Sequence, residues 1–383
     1  MLNIAIVGTG NISPMHIEGY LKFPQRCKIV ALADIYPNKA EDKKKTFGLD
    51  ADVYDSIDGI LARDDIDLVS IATPPYTHAE LAIRAMQSGK NVLVEKPMAA
   101  SLEECDRMLA VAKETGMLLA QIAQNRFRTT IMAMENILKQ KKLGKILIAQ
   151  IDSLWWRGHS YYDLWWRGCW EKEGGGCTLN HAVHHIDMLC WMMGLPDRVT
   201  AVLGNVAHDN AEVEDISMAI LQYGNGAMGQ VTSSVVHHGE EQRVAFQGEL
   251  ASVQVPWKAH ASISKTNGFP MGNEALEQEL TEMFESFPAL AYEGHTGEID
   301  DVLTALENGT QPLITGEDGR KTLELITAIY KAGSTGTAVD LPLSKDDPFY
   351  TLNGILANAR HFYEKKGGIE NFDDESITVG SNY

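Results

Sequence analysis

The chain has 383 residues, of which 44% are hydrophobic and 22% charged, an ordinary globular composition that is long enough for two domains. Its formal net charge is −19 without any basic cluster, so neither a nucleic acid nor an anionic membrane is an expected partner. No apolar run approaches the roughly 18 residues that span a bilayer, no basic segment precedes the apolar start of the chain, and the five cysteines are irregularly spaced, so we predict a cytoplasmic protein with reduced thiols.

The first predicted element is a buried strand, LNIAIV at residues 2–7, followed by the turn GTGNIS at 8–13 and a helical pattern from Pro14 to Leu21. The first glycine of the turn permits a tight bend, and the second lets a pyrophosphate approach the backbone at the helix N-terminus. Ser13 stands where a third glycine is usual and is small enough for close helix–strand packing. The alternative is a glycine turn that holds no phosphate.

A second strand, CKIVALAD, ends at Asp34. Its distance from the glycine turn is near the spacing at which a carboxylate binds the 2′-hydroxyl of the adenosine ribose. Neither Ile35 nor Tyr36 offers a cation for a 2′-phosphate. The pattern therefore predicts NAD as the cofactor, in preference to NADP.

Strands and helices continue to alternate, with strands at 67–73, 91–97 and 117–125 and helices at 77–89 and 101–115. This rhythm predicts a doubly wound parallel sheet, so we assign residues 1–125 to an NAD-binding Rossmann domain. Ligands of such sheets bind beyond the carboxyl ends of the strands. The candidate cofactor-binding residues there are Gly8, Gly10, Asn11, Ile12, Asp34, Thr73, Pro74, His78, Glu95, Lys96 and Gln124.

The sequence Glu95-Lys96-Pro97 ends one of these strands. A lysine at this point is directed at whatever occupies the crevice, where its ammonium can bond a substrate hydroxyl and stabilise a developing alkoxide. The alternative is a solvated lysine paired with Glu95. On position alone, both interpretations stand.

The pattern changes near residue 126, and we assign residues 126–383 to a second, α+β domain for substrate binding and oligomerisation. Helices are predicted at 129–142, 294–308 and 316–333, and a hairpin turn at 223–227. The predicted strands indicate a large, mostly antiparallel open sheet, and they lie at 145–154, 199–207, 216–223, 227–236, 242–249 and 338–343.

A predicted helix at 179–193 carries a group of histidines. Asn180 and His184 are four residues apart and would share one face, and His181 and His185 form a second such pair. A histidine suits the removal of a hydroxyl proton near neutral pH. A metal cluster of Cys177 with the three histidines is an alternative, but the spacing matches no tidy ligand set, so we predict no metal. His185 can also be a core residue, and Asp187 a helix residue bonded to a neighbouring strand.

The chain resembles the glucose–fructose oxidoreductase / inositol dehydrogenase / MocA family of NAD(P)-dependent sugar dehydrogenases. The motifs that carry the resemblance are GTGNISPMH, ATPPYTHAELAIRAMQSGKNVLVEKPMA, GGGCTLNHAVHHID and TGEDGRKTLELITAIYKAG. It implies a Rossmann domain and a C-terminal domain whose open sheet forms a dimer face, hence a homodimer or higher oligomer.

In the family, the lysine of Glu-Lys-Pro contacts nicotinamide and substrate, and an Asp-x-x-x-His pair supplies a histidine base. These roles fall on Lys96 and His184, but the aspartate position holds Asn180. Asparagine cannot hold negative charge against an imidazolium. The resemblance therefore implies that His184 is less basic than is usual, or that His181 or Asp187 takes part of the role.

Between the strand at 145–154 and this helix lies LWWRGHSYYDLWWRGCW, which holds five of the seven tryptophans. Indole rings cover the apolar faces of sugars while arginine, histidine and tyrosine bond their hydroxyls. The segment can instead pack in the core or form an oligomer contact. The candidate substrate-binding residues are Trp155, Trp156, Arg157, His159, Tyr161, Tyr162, Trp165, Trp166, Arg167 and His181.

These features together predict an NAD-dependent oxidoreductase that converts a ring hydroxyl of a sugar, glycoside or cyclitol to a ketone. Five tryptophans exceed the needs of one small polyol, which favours a glycoside and a glycoside 3-dehydrogenase-like activity. The alternatives are a glycosidase that uses bound NAD for transient oxidation, and a non-catalytic regulator that senses NAD or sugar.

Overall fold

A computed structural model describes residues 1–365, 367–370 and 372. Its first sheet has six strands in the order β3-β2-β1-β4-β5-β6, all parallel. They are β1 (Leu2–Val7), β2 (Cys27–Ala33), β3 (Asp52–Tyr54), β4 (Leu68–Ile71), β5 (Asn91–Val94) and β6 (Leu119–Gln121). The strand order reverses between β1 and β4, so the carboxyl ends of these two strands flank the crevice in which doubly wound sheets bind ligands.

The helices that cover this sheet are α1 (Ser13–Leu21), α2 (Pro37–Phe47), α3 (Asp58–Leu61), α4 (His78–Gln87) and α5 (Leu102–Thr115). Local sequence signals set their ends. Helix α5, for example, begins at Ser101, whose hydroxyl accepts from the amide of Glu104 at 3.3 Å, and ends at Gly116 in the left-handed conformation. The sequence interpretation did not include α2, α3 and the short strand β3.

The second sheet has nine strands in the order β14-β13-β12-β11-β7-β10-β9-β8-β15, and all pairs are antiparallel except β7 with β10. The strands are β7 (Ile146–Leu154), β8 (Arg198–Gly204), β9 (Ile216–Gln222), β10 (Met228–Ser234), β11 (Gln242–Gly248), β12 (Ala251–Val255), β13 (Lys258–Ser264), β14 (Pro270–Gly272) and β15 (Val339–Asp340). The predicted hairpin at 223–227 joins β9 to β10.

The remaining helices are α6 (Thr129–Lys139), α7 (Trp170–Glu173), α8 (Cys177–Asn180), α9 (Val183–Met193), α10 (Glu274–Glu285), α11 (Gly294–Asn308), α12 (Gly316–Thr335) and α13 (Leu352–Asn358). Helices α9 and α12 lie on the buried face of the second sheet. Its other face is open and carries the exposed side chains of Val202, Met218, Ile220 and Met228. The fold class is therefore as predicted, a Rossmann sheet followed by a large, mostly antiparallel open sheet.

Helix α11 connects the two halves of the chain. It packs against α1, and Ile299 and Val302 join the core formed by Ile4, Ile6 and Ile17 of the Rossmann part. Gly19 makes this approach possible, since a Cβ there would lie 2.4 Å from Ile299. The division into 1–125 and 126–383 stays a prediction, and residues 366, 371 and 373–383 lie outside the described part of the chain.

All five cysteines are buried free thiols. Within the described residues, no helix is both long and apolar enough to cross a membrane.

Candidate active site

The glycine turn lies at the carboxyl end of β1. Gly8 has a φ of +92°, and a Cβ there would lie 2.6 Å from the carbonyl oxygen of Ala72, so only glycine fits. A Cβ on Gly10 would meet no protein atom within 4 Å, which leaves the space for a ligand to approach the backbone. Ser13 is buried, and its hydroxyl donates to the Gly10 carbonyl at 2.8 Å.

Asp34 stands beside this turn. Its carboxylate accepts hydrogen bonds from the amide and the hydroxyl of Thr9, both at 2.8 Å, and from the amide of Tyr36 at 2.9 Å. The aspartate at the end of β2 is thus fixed next to the glycines, the arrangement that a ribose diol requires.

The other predicted cofactor residues lie at the same edge of the sheet with different exposure. Asn11 and Pro74 are exposed, and Ile12, Thr73 and Gln124 are half-buried. His78 requires a correction, because its side chain is fully buried and its two ring nitrogens lie 2.8 Å from the carbonyl of Pro97 and 2.7 Å from that of Thr73. His78 fastens the ends of two strands together and does not face the crevice.

Glu95 lies in a buried cluster that the sequence interpretation missed. Its Oε1 is 2.9 Å from Nε2 of His16 and 3.3 Å from Nε2 of His295, and its Oε2 accepts from the amide of Lys96 at 3.1 Å. His16 also contacts the Ser70 hydroxyl at 2.8 Å through Nδ1. The imidazoles hold the pKa of Glu95 well below its usual range despite burial, so a buried negative charge lies directly beneath Lys96.

Lys96 follows β5, and the peptide bond to Pro97 is cis. Its ammonium does not pair with Glu95 but donates to the main-chain carbonyl of Asn180 at 3.2 Å, across the crevice. Burial lowers the pKa of Lys96. This geometry disfavours the solvated-lysine interpretation and favours the functional one.

The predicted helix at 179–193 is two helices, because α8 ends at Asn180 and α9 begins at Val183. Asn180 and His184 therefore do not share one turn of one helix. The side-chain amide of Asn180 turns back and donates to the carbonyls of Gly175 and Gly176 at 2.9 and 3.2 Å. The residue that replaces the family aspartate thus braces the glycine run, and its carbonyl receives Lys96.

His184 is half-buried beside Lys96. Burial and the nearby ammonium hold the pKa of His184 well below its usual range. The pKa of His181 is lowered likewise by burial and by Arg157 and Arg167. Both imidazoles are therefore neutral at neutral pH and able to accept a proton.

Two neighbours of these histidines have structural roles. His185 is fully buried, and burial lowers its pKa to about 3. Asp187 accepts two hydrogen bonds from Arg126, at 2.7 and 2.8 Å, and one from Thr322 at 3.1 Å, so it is not available as a substitute base. The possible metal-ligating atoms of Cys177 and the three histidines do not come together. Within the described residues, only those of His16, Glu95 and His295 lie close enough to one another to hold a metal ion.

The tryptophan segment divides into an inner and an outer set. In the inner set, the rings of Trp155 and Tyr161 lie 5.8 and 5.9 Å from that of His181. The guanidinium of Arg167 lies 4.2 Å from the centre of the Tyr161 ring and 4.3 Å from that of Trp166, and Arg157 lies above Trp155 and Tyr161. After burial, Arg167 contributes to the lowered pKa of Lys96, so this inner set lies near that lysine.

The outer set is more exposed. Trp156 and Trp165 are 45% and 47% exposed, and Trp165 bonds through its amide to the carbonyl of Ile369 at 3.0 Å. His159 is exposed and contacts Asp209 at 2.7 Å. Tyr162 needs a correction, because only 1% of it is exposed and it packs on His208 inside the core. Its ring therefore belongs to the packed core and presents no surface.

The chain is similar to known proteins over most of its length. Residues 2–122 match the NAD-binding Rossmann fold of an oxidoreductase family, Gfo/Idh/MocA, and residues 136–341 match the C-terminal alpha/beta domain of the same family. The crystal structure of the WlbA dehydrogenase from Bordetella pertussis in complex with NADH and UDP-GlcNAcA is 28% identical, with a TM-score of 0.77, over 90% of this chain and 98% of that one.

Two curated relatives differ in activity. The inositol 2-dehydrogenase of Rhizobium meliloti is 26% identical over 336 residues, 86% of this chain and 96% of that protein. The 2,7-anhydro-N-acetylneuraminate hydratase of Mediterraneibacter gnavus is 28% identical over 255 residues, 66% of each chain. The match of both family domains, together with the glycine turn and Lys96, shows that the chain belongs to the Gfo/Idh/MocA family of oxidoreductases, with NAD as the cofactor of its Rossmann domain.

Proposed function

We propose that the protein reversibly oxidises one ring hydroxyl of a sugar, glycoside or cyclitol to a ketone. The observation that carries this proposal is the hydrogen bond from the ammonium of Lys96 to the carbonyl of Asn180, across the crevice. Burial and the same ammonium also hold the pKa of the nearby His184 well below its usual range, so its imidazole is neutral. The ammonium can hold the oxygen of a hydroxyl, and the imidazole can take its proton.

NAD, when bound by the glycine turn and Asp34, supplies the hydride acceptor. The protein's own residues do the rest. Lys96 donates a hydrogen bond to the reacting oxygen and stabilises the negative charge that develops on it. His184 accepts the hydroxyl proton at a ring nitrogen as the hydride leaves the carbon. In the reverse direction, the same imidazolium returns the proton to the oxygen.

The inner set of the tryptophan segment supports a glycoside as the substrate. Trp155 and Tyr161 provide flat apolar surfaces, and Arg157 and Arg167 provide fixed donors beside them. A sugar ring has an apolar C–H face and a polar rim, so this combination suits a ring with a second group attached. We therefore propose a glycoside 3-dehydrogenase-like activity.

A second candidate is an enzyme that uses NAD only transiently and releases no NADH. The similarity to a protein named a hydratase favours it, and the catalytic pair suits either outcome. A non-catalytic sensor is disfavoured because Lys96 and His184 are both present and brought close together by the fold.

The test is a spectrophotometric screen for NADH with purified protein, NAD and separate panels of inositols, free hexoses and aryl or C-linked glycosides. The proposal expects NADH to accumulate with one panel. Cleavage or hydration of a sugar without NADH would support the transient use of NAD. Binding of NAD and sugar without any product would support the sensor.

We also propose that the open face of the second sheet joins two copies of the chain. Met218 pairs across the sheet with Val202 and Thr232, and Ile220 with Thr200 and Gln230. The apolar members of this surface are about half-exposed or more. An apolar sheet face of this kind is typical of an obligate interface.

A further inference from the structure

The buried carboxylate of Glu214, which no motif marks, binds the start of helix α8. Its Oε2 accepts from the amide of Gly176 at 3.1 Å, and its Oε1 accepts from the amide of Thr178 at 3.0 Å. Its main-chain carbonyl accepts from the amide of Cys177 at 3.3 Å. The first amides of a helix lack partners within the helix, and here one residue from outside satisfies three in succession.

Tyr330 of α12 completes the arrangement. Its hydroxyl donates to Oε1 of Glu214 at 3.1 Å and accepts from the amide of Leu179, also at 3.1 Å. Glu214 is fully buried and Tyr330 is 4% exposed. A buried charge-assisted network is stronger and more rigid than the same bonds at the surface.

Glu214 and Tyr330 together clamp the start of α8, and the glycine run leaves the space that they need. A Cβ on Gly176 would lie 1.9 Å from the carbonyl oxygen of Glu214, and a Cβ on Gly175 would lie 2.1 Å from the hydroxyl of Tyr330. Gly175 also has a φ of +156°, which disfavours other residues. The glycines of GGGCTLN thus allow the carboxylate and the phenol to approach the backbone closely.

Helix α8 is short, so its start determines where its end lies. Its last residue is Asn180, whose carbonyl receives the ammonium of Lys96. We infer that Glu214, with Tyr330, is a positioning residue for catalysis, because it fixes the backbone that holds Lys96 and leads into His184. This inference rests on the proposed function.

The surroundings of Glu214 indicate that the carboxylate is the working form. Every group that contacts its side chain is a donor, so a carboxyl proton would displace one of them. The titratable groups nearby are Tyr330 on α12, Cys177 on α8, Tyr162 and Asp215, and burial raises the pKa of both tyrosines and the cysteine. Burial also raises the pKa of Glu214 to about 7. We therefore expect an ionisation near that value in kcat, with activity lost at lower pH.

The experiment compares Glu214→Gln and Tyr330→Phe with wild type. The control is Glu324→Gln, since Glu324 is also buried and lies on α12. It accepts from the backbone amide of Leu343 at 2.9 Å and from Arg320 at 2.7 Å, away from the site, and glutamine can still accept from one of the two. For each protein, kcat and KM are measured across pH on the glycoside that gives NADH with wild type. NADH affinity is measured by fluorescence, and amide hydrogen exchange of the peptide 174–180 by mass spectrometry.

We expect Glu214→Gln to lower kcat by about 10- to 100-fold, the cost of a small displacement of reacting groups, and to abolish the ionisation near neutral pH. NADH affinity should change less than about twofold, exchange in 174–180 should rise, and the control should behave as wild type. If Glu214→Gln is poorly folded, the milder Tyr330→Phe should lower kcat by less and raise exchange in 174–180. It keeps the carboxylate but removes one donor to it, so the ionisation should move to higher pH.

Unchanged kcat and pH dependence in both variants, with wild type active, would overturn the inference. An inactive wild type would instead count against the proposed function. In that case amide hydrogen exchange still tests whether Glu214 fixes the start of α8. Unchanged exchange of the peptide 174–180 in Glu214→Gln would contradict that role.

Discussion

The ammonium of Lys96 donates to the main-chain carbonyl of Asn180 at 3.2 Å, so the lysine at the end of a Rossmann strand is held by the backbone of the other domain. This bond occupies one of the three donors of the ammonium, and two remain for a substrate oxygen. The contact uses the main chain of residue 180, so it does not depend on whether that position holds asparagine or aspartate.

The role of Lys96 is testable by Lys96→Met, which keeps most of the side-chain length and removes the charge. We expect kcat to fall by at least ~100-fold, the usual scale of electrostatic or acid–base contributions. NAD affinity, measured by titration, should remain nearly intact. Turnover near that of wild type in this variant would show that the Glu-Lys-Pro sequence has only a structural role.

The cofactor preference is expected to depend on Asp34. Asp34→Ala removes the acceptor for the ribose hydroxyls, and we expect NAD to bind about 10- to 100-fold more weakly, as for a lost hydrogen bond to a charged group. The preference for NAD over NADP, measured as the ratio of the two affinities, should become smaller. Asp34→Asn is the control, since it can still accept from Thr9. A native preference for NADP would show that this interpretation of β2 is wrong.

The pH dependence of the base follows from the charges around His184. Burial and the ammonium of Lys96 hold its pKa well below the ordinary value, so activity should rise through an ionisation at acidic pH. Asn180→Asp adds negative charge nearby, which favours the imidazolium, so this ionisation should move to higher pH. A shift of one unit corresponds to about 1.4 kcal/mol.

The same substitution has a cost that the sequence did not indicate. An aspartate cannot donate to the carbonyls of Gly175 and Gly176 as Asn180 does, so we also expect a lower melting temperature. If the acidic ionisation in kcat/KM stays in place in Asn180→Asp but moves in His181→Ala, then His181 is the base.

The substrate contact of the tryptophan segment is testable at Arg167. Arg167→Lys keeps a cation for the buried Glu173 but loses the planar group between Tyr161 and Trp166. We expect KM for the glycoside to rise about 10-fold or more. Trp165→Ala, on the exposed outer side, should leave KM unchanged. Equal effects of both changes would contradict the division into inner and outer sets.

The open sheet face is expected to hold the oligomer together. Met218→Glu places a charge in the middle of the apolar surface, and burying that charge without a partner is strongly unfavourable. Light scattering after size exclusion should show a smaller assembly than for wild type. The control Lys258→Glu changes an exposed residue on β13, which is five strands away from β9 in the same sheet. If Lys258→Glu dissociated the oligomer and Met218→Glu did not, the interface would lie elsewhere on the protein.

The sequence predicted what depends on local pattern. The glycine turn, Asp34 and Lys96 each follow a buried strand, and the ends of parallel strands meet at one edge, so their proximity could be inferred. The histidine segment was less predictable. Its periodicity fits a single helix, but the amide of Ala182 reaches back to the carbonyl of Cys177, and the helix breaks there.

The contributions of residues distant in sequence could not be predicted. His295 reaches Glu95 from a helix 200 residues away, and Glu214 reaches the glycine run from the loop before β9. Neither residue lies in a motif, since each acts through tertiary packing. The only sequence signal for Glu214 was indirect, namely a run of three glycines with no turn to explain it.

The most direct test of the central claim is the stoichiometry of NADH and product after incubation of wild-type protein with excess NAD and the glycoside selected by the screen. We expect one NADH for each molecule of a keto-glycoside that is lighter than the substrate by two hydrogen atoms and keeps its glycosidic bond. A cleaved or hydrated sugar without NADH would contradict it.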